Sequence, residues 1–344
     1  MKKRVVTFGE IMLRLSTPFH KRFVQTDYFE ATFGGGEANV AVSLANYGME
    51  SYFISKLPQH EIGQSALNHL RKFGVNTDFI VRGGDRIGIY FLESGASQRS
   101  SKVIYDRKYS AISTIKKKEI DWEKVFKGVD WFHWTGITPA LSKNTKAVLI
   151  DACKIAKSKN IKISCDLNFR KKLWTEKEAQ ATMKPLMKYV DVCIANEEDA
   201  QKSLGLKVQN SNVEEADLNK ESYYKVAEEL KRKYKFDSVA ITLRESFSAS
   251  RNGWSAILLD NKNCKKVYHS KRYDIAIVDR VGGGDSFASG LIYGLLNKRN
   301  TKDALEFAVA ASCLKQTIHG DFNLVGIDEV EKLAKGSGSG RVER

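Results

Sequence analysis

Several protein classes are ruled out by what this sequence is short of. Its five cysteines, Cys153, Cys165, Cys193, Cys264 and Cys313, are odd in number, far apart and form no C-x-x-C pair. That excludes a disulfide framework and predicts free buried thiols in a reducing compartment. Its six histidines make neither an H-E-x-x-H nor a cluster with cysteine, so a zinc centre is not expected. No apolar run approaches the ~18 residues of a membrane helix. The apolar stretch that follows Lys2, Lys3 and Arg4 ends before Glu10, too short for the core of a secretory signal. A cytoplasmic chain with no membrane partner is expected. Nucleic-acid motifs are missing too. The net charge of +15 is spread over lysines interleaved with acids, as with Glu228 and Glu229 among the lysines of residues 225–235. The longest basic run is Lys116-Lys117-Lys118, so the excess charge reads as a solvated surface with no nucleic-acid partner. No internal repeat is present.

What is there alternates between strand-like and helix-like patterns. Strands are expected at 5–8, 52–56, 131–134, 161–166, 190–195 and 238–243, and helices at 38–47, 63–73, 145–158, 176–188, 222–234, 286–298 and 302–318. This rhythm predicts an α/β fold, a three-layer α/β/α core with a mainly parallel sheet. Two stretches break it: 12–33, and the strand pair 88–93 and 102–107 around a polar loop at 94–101. They predict a small β-sheet lid inserted into the core. The expected division is a core of 1–11, 34–86 and 112–335, a lid of 12–33 and 87–111, and a flexible Gly/Ser-rich tail at 336–344.

One segment carries most of the chemistry: Asp279-Arg280-Val281-Gly282-Gly283-Gly284-Asp285-Ser286-Phe287. A glycine-rich turn feeding a helix offers backbone N–H groups and the positive end of the helix dipole to an anion. No G-x-x-x-x-G-K-[ST] occurs, nor the H-R-D and D-F-G of protein kinases. Where a lysine would favour phosphate, Asp285 stands. Two readings compete. Asp285 orients or deprotonates an attacking hydroxyl while the amides carry phosphoryl charge, or it merely caps the helix.

Further along, the segment resembles the G-A-G-D signature of the ribokinase-like (PfkB) family of carbohydrate kinases. Gly34-Gly35-Gly36-Glu37-Ala38-Asn39-Val40-Ala41 resembles that family's G-G-x-x-x-N-x-A segment. Asp166-Leu167-Asn168-Phe169-Arg170 resembles its D-x-N-x-R strand end, Asn196-Glu197-Glu198-Asp199 its N-x-x-E motif, and Thr242-Leu243 its T-L-G strand end. The matches keep the family's order across nearly the whole chain. Tyr90, Tyr105-Asp106-Arg107, "DLNFRKKLW" and "GDFNLV" further resemble the lid and closing segments of 2-keto-3-deoxygluconate kinases.

The resemblance implies a ribokinase-like fold and ATP-dependent phosphorylation of a sugar acid, with ATP and Mg²⁺ as cofactors. It implies Asp285 as base, the amides of Gly282, Gly283 and Gly284 as an anion hole, and Arg170 as an anion-holding group. Acceptor binding falls to Gly34, Gly35, Asn39, Tyr90, Tyr105, Arg107, Arg170, Asp285 and Asp321. Nucleotide binding falls to Asn168, Asn196, Thr242, Arg244, Gly282 and Gly284, and an indirect metal role to Asp199. An anionic acceptor suits two guanidinium forks and two tyrosine hydroxyls. The competing reading puts Arg107 and Arg170 in salt bridges and the tyrosines in lid packing. Gly283 stands where the family has alanine, Asp199 where glutamate is usual, and Arg244 where the nucleotide loop has glycine. His133, on an apolar strand, reads as a core residue. A kinase of a neutral sugar or nucleoside on the same fold, and a sugar-binding regulator without catalysis, are the alternatives. Exposed lid edges need cover, and a homo-oligomer joined through the lid would supply it.

Overall fold

The computed structural model describes residues 2–196, 198–206, 220–260, 267–297 and 300–338. A nine-stranded sheet forms the centre. From one edge it runs Glu50–Ile54, Arg4–Phe8, Trp131–Thr135, Lys162–Asp166, Val192–Asn196, Ser238–Ser248, Arg251–Asp260 and Val267–His269, with Tyr273–Ala276 also paired to Arg251–Asp260. Every pairing from Glu50–Ile54 to Ser238–Ser248 is parallel, and the pairings beyond are antiparallel.

Strands covered on both faces have no polar face to show, and Trp131–Thr135 is buried throughout. Successive side chains on such a strand point to opposite faces. Trp131 therefore packs with Phe287, Leu291 and Phe307 on one side, while Phe132 and Trp134 pack with Val148, Leu149 and Met183 on the other. These are the two apolar layers of an α/β/α core.

A separate four-stranded sheet is ordered Glu30–Gly34, Met12–Ser16, Gly88–Glu93, Lys102–Asp106. Met12–Ser16 alternates buried and half-buried positions and Lys102–Asp106 exposed and half-buried ones, the signature of a sheet with one face on a body and the other toward water. This is the inserted sheet expected from the sequence.

The elements fall close to their expected places, with two main differences. The strand expected at 238–243 continues to Ser248 and turns into Arg251–Asp260, giving the sheet an antiparallel edge. The helix expected from residue 286 starts at Gly283, with Gly282 as its N-cap. Of the tail, residues 339–344 lie outside the described residues. Cys153, Cys165, Cys193 and Cys313 are free and buried, and Cys264 lies outside the described residues. His133 is buried beside Ser164 Oγ at 2.8 Å, its Nε2 has no partner among the described residues, and burial pushes the imidazole down to about 3. No described helix is long and apolar enough to cross a membrane.

Glu50–Ile54 and Trp131–Thr135 flank Arg4–Phe8 on opposite sides, so the strand order reverses at Arg4–Phe8. Ligands of open α/β sheets bind beyond the carboxyl ends of the strands at such a reversal, and here the lid sheet stands over that end.

Candidate active site

A cleft of about 360 Å³ opens between the lid and the carboxyl ends of the parallel strands. Sixteen of the sequence-derived site residues face each other across it; Gly34 does not line it. Its missing side chain has another consequence: a Cβ there would sit 2.0 Å from Asp321 Oδ2. Gly34 therefore makes room for the Asp321 carboxylate.

Asp285 lies in the first turn of the helix Gly283–Leu296 and is not its cap, since Gly282 holds that place with φ +82°. The capping reading is thereby set aside. Its Oδ2 accepts from Asn39 Nδ2 at 2.6 Å. Burial pushes the Asp285 carboxyl up to about 6, against the opposing pull of Asn39 and the Arg170 charge. A carboxyl poised there is ionised at neutral pH yet basic enough to take a proton.

The loop before it is held from behind. Asp279 Oδ1 accepts from Val281 N at 3.0 Å, and Ser312 Oγ donates to Gly283 O at 2.7 Å. Gly282 needs to be glycine on two counts: its φ is +82°, and a Cβ would meet Asp321 O at 2.1 Å. Gly284 is open to the cleft, with no atom within 4 Å of where a Cβ would point. Among the described residues the first-turn N–H groups of Gly284 and Asp285 make no backbone hydrogen bond, as helix geometry dictates. Both are free to donate into the cleft.

Strand ends supply the next group. Asp166 ends Lys162–Asp166, and burial, then the charges of Asp199 and Asp285, hold its carboxyl well above the usual range. Asp199 is raised by burial too, but accepts from Phe169 N at 2.9 Å and Asn196 N at 3.3 Å. Both its oxygens are thus occupied in pinning two strand ends together. Asp166 has a 3.5 Å contact from Asn168 Nδ2 and a backbone contact from the same residue, both from its own strand end, so it is the less committed of the two carboxyls. Asn168 has φ +38°, a left-handed turn that asparagine tolerates better than most. Asn196 Oδ1 accepts from the N–H groups of Glu198 and Asp199, and Thr242 Oγ1 donates to Ala195 O. Arg244 is exposed at the rim. Arg280 shares that rim, its guanidinium bonded to the carbonyls of Ser248 and Ala249.

On the lid side, charge is more tightly committed than expected. Arg107 forms an ion pair with Glu10, its Nε 2.9 Å from Oε2, and Glu10 Oε1 also accepts from Ser110 Oγ. The guanidinium lies 5.4 Å from the Tyr105 ring centroid. Arg107 therefore makes the salt bridge that the competing reading expected, with Glu10 compensating its charge. Asp321 is occupied as well, by Arg14 Nη1 at 2.7 Å and the Tyr90 hydroxyl at 2.6 Å. Its expected direct acceptor contact competes with these bonds. Arg170 differs from Arg107. It is exposed at the cleft and has no carboxylate within ion-pair distance among the described residues, though its charge favours ionised Asp166, Asp199 and Asp285.

Four participants were not singled out from the sequence: Glu10, Arg14, Glu37 and Lys315. Glu37 Oε1 accepts from Thr135 N, Thr135 Oγ1 and Thr138 Oγ1 at 2.7–3.0 Å. Burial pushes it up to about 7 despite those bonds. Its place between two glycines and Asn39 was the available signal.

The protein resembles the 2-dehydro-3-deoxygluconokinase of Thermotoga maritima, known from a crystal structure, at 56% identity over 98% of this chain and 99% of that one, with a TM-score of 0.93. It is 31% identical to the 2-dehydro-3-deoxygalactonokinase of Haloferax volcanii over 99% of both chains. It is 29% identical to the 2-dehydro-3-deoxygluconokinase of Bacillus subtilis over 97% of this chain and 95% of that one. The description of the pfkB family carbohydrate kinase matches residues 2–323, and the chain belongs to that family.

Proposed function

We propose that the protein transfers the γ-phosphoryl group of ATP to the 6-hydroxyl of 2-keto-3-deoxygluconate, giving 2-keto-3-deoxy-6-phosphogluconate. The observation that carries this reading is the Asp285 carboxyl, held by Asn39 at 2.6 Å on the same helical turn as the unpaired N–H groups of Gly284 and Asp285. Base and anion hole stand side by side, as in-line phosphoryl transfer requires.

In this mechanism Asp285 accepts the proton of the acceptor hydroxyl as its oxygen bonds to the γ-phosphorus. The bond from phosphorus to the bridging oxygen breaks, and ADP leaves with that electron pair. The amides of Gly282, Gly284 and Asp285 bear the charge on the transferring group, that of Gly283 being bonded to Arg280 O at 3.3 Å. Gly35, Asn39 and Tyr105 bind acceptor hydroxyls, and Tyr90 holds Asp321 in place behind them. Arg170, the cation without an acid partner, holds the carboxylate of the sugar acid, with Arg107 as a donor already oriented by Glu10. Asn168, Asn196, Thr242 and Arg244 form the nucleotide side.

No three side chains converge as a metal cluster among the described residues. Mg²⁺ fits as an ion bound mainly by nucleotide phosphates and water, with Asp166 as the nearby carboxylate whose charge it would offset. Bound there, it neutralises phosphate charge.

One observation favours the second reading, a neutral-sugar acceptor: Glu10 cancels the charge of Arg107. The relatives carry both gluconate-type and galactonate-type names, so the epimer is part of the same test. ADP release is measured against 2-keto-3-deoxygluconate, 2-keto-3-deoxygalactonate, ribose and fructose. The sugar acids should be preferred, and Asp285→Asn should lose about 10²–10⁴-fold in kcat while binding ATP normally. Preference for ribose or fructose refutes the acceptor assignment, and a variant with near-normal kcat refutes the base.

A further inference from the structure

Lys315 ends the helix Thr301–Lys315 with no exposed surface. Lysine is almost never buried so completely unless it is paired, because removing an ammonium from water is costly. Yet no carboxylate oxygen lies within ion-pair distance of it among the described residues. Its Nζ donates to two carbonyls, Asp279 O at 3.0 Å and Ile318 O at 3.3 Å.

The charges around it explain why the ammonium is tolerated. Arg14 alone holds two buried carboxylates, those of Asp279 and Asp321. One guanidinium against two carboxylates leaves a deficit of one positive charge, and Lys315 makes the cluster neutral. Its position is equally specific. A Cβ at Gly282 would lie 3.3 Å from Lys315 Cε, so the lysine stem runs directly behind the first glycine of the anion-binding loop. Its two acceptors are the residue three before that glycine and the residue three after the helix end. The ammonium therefore ties the entry of the loop, at Asp279, to the turn that follows its own helix, and does so with no surface of its own exposed.

We propose that Lys315 is a positioning residue for phosphoryl transfer, a built-in cation that holds the Gly282–Asp285 loop in its anion-binding form and adds positive potential behind its amides. This rests on the kinase reading of that loop. The same charge favours ionised Asp285, opposing the burial that raises it. A lysine in direct contact with phosphate would be exchanged with solvent at every turnover, whereas this one is fixed before substrates arrive, as electrostatic preorganisation demands.

Lys315→Met keeps the length of the stem and removes the charge. Its kcat should fall about 10- to 100-fold, somewhat less than for loss of a direct oxyanion donor, with the KM of the sugar acid within about twofold of wild type. In Lys315→Ala, added ethylammonium should restore part of the lost kcat, which a purely structural side chain would not show. Wild-type turnover supplies a readout that needs no variant to fold. Burial lowers the lysine below its ordinary value, while Asp279, Asp321 and Asp285 oppose this and Arg14 adds to it. Loss of the proton loses the cation, so kcat should fall as pH rises toward the ordinary lysine value of about 10.4. A Lys315→Met enzyme with kcat within twofold of wild type, or a wild-type kcat that stays flat to about pH 10, overturns the proposal. A wild-type protein that phosphorylates no acceptor overturns the kinase reading instead, and the two failures are told apart by that control.

Discussion

Replacing Arg14 by methionine tests whether the lid is locked to the glycine loop by charge. The side chain of Arg14 is 1% exposed, and those of its partners Asp279 and Asp321 are 4% and 3% exposed. The guanidinium reaches Asp279 Oδ2 at 2.5 Å, Asp321 Oδ1 at 2.7 Å and Ser16 Oγ at 2.6 Å. Methionine fills much of the volume and removes all three bonds. Asp279 then keeps the N–H groups of Val281 and Gly320, and Asp321 keeps the Tyr90 hydroxyl. Neither keeps a bonded cation. Breaking a buried pair by deleting one partner costs about 3–5 kcal/mol, and two stranded carboxylates place Arg14→Met at the upper end. At roughly 2–4 °C per kcal/mol for chains of 150–250 residues, Tm should fall by on the order of 10 °C. Denaturant unfolding followed by circular dichroism measures the loss directly.

The pH dependence gives the sign. In Arg14→Met the stranded carboxylates hold their protons to higher pH than in the unfolded chain, so the variant binds more protons folded than unfolded. Its stability relative to wild type therefore falls as pH rises, and the gap should be wider at pH 7 than at pH 5. Adding Asp279→Asn and Asp321→Asn to Arg14→Met should recover part of the loss, since a buried pair removed whole is far less harmful than one broken. A loss below about 1 kcal/mol at pH 7, the range of an exposed pair, or a gap that widens on acidification, would refute the reasoning.

Two more outcomes follow from the titrating carboxyls. With Asp285 pushed up to about 6 and needed ionised, kcat/KM should rise with pH through about 6 and level off above it; a profile flat from pH 5 to 8 counts against Asp285 as the base. Glu37, pushed up to about 7 by burial, holds its proton in the folded state where the unfolded chain has lost it. Stability should then fall as pH rises from about 4.3 toward that value, and Glu37→Gln should flatten this slope in urea titrations at pH 5 and pH 8.

Local pattern made the fold legible, and long-range pairing hid part of the site. The strand ending at Asp166 and the helix opening at the glycines announce themselves through runs of apolar residues and a glycine triplet, features read within a dozen positions. Asp285 and Asn39 were both found this way, because each stands inside a compact motif; that they bond to each other across 246 positions was not visible. The antiparallel edge was missed because Arg251–Asp260 is buried everywhere but at Arg251 and Ser255 and so carries little alternation. Charges were the hardest to read. Arg107 and Arg170 look equivalent as letters, and only the fold brings Glu10 against one of them. Arg14 looks like one exposed arginine of a polar strand until the chain places Asp279 and Asp321, 265 and 307 positions away, on either side of it. The same holds for Lys315, whose helix end reads as an ordinary basic last turn. A sequence shows which charges exist, but their effect depends on which of them burial forces together. At this cleft burial has sorted them into two sets. Arg14, Lys315, Asp279 and Asp321 cancel one another behind the glycine loop and hold it rigid. Arg170, Asp166 and Asp285 are left facing the cleft without bonded ions of opposite sign, and those are the groups a phosphoryl donor, its metal and an anionic acceptor would meet.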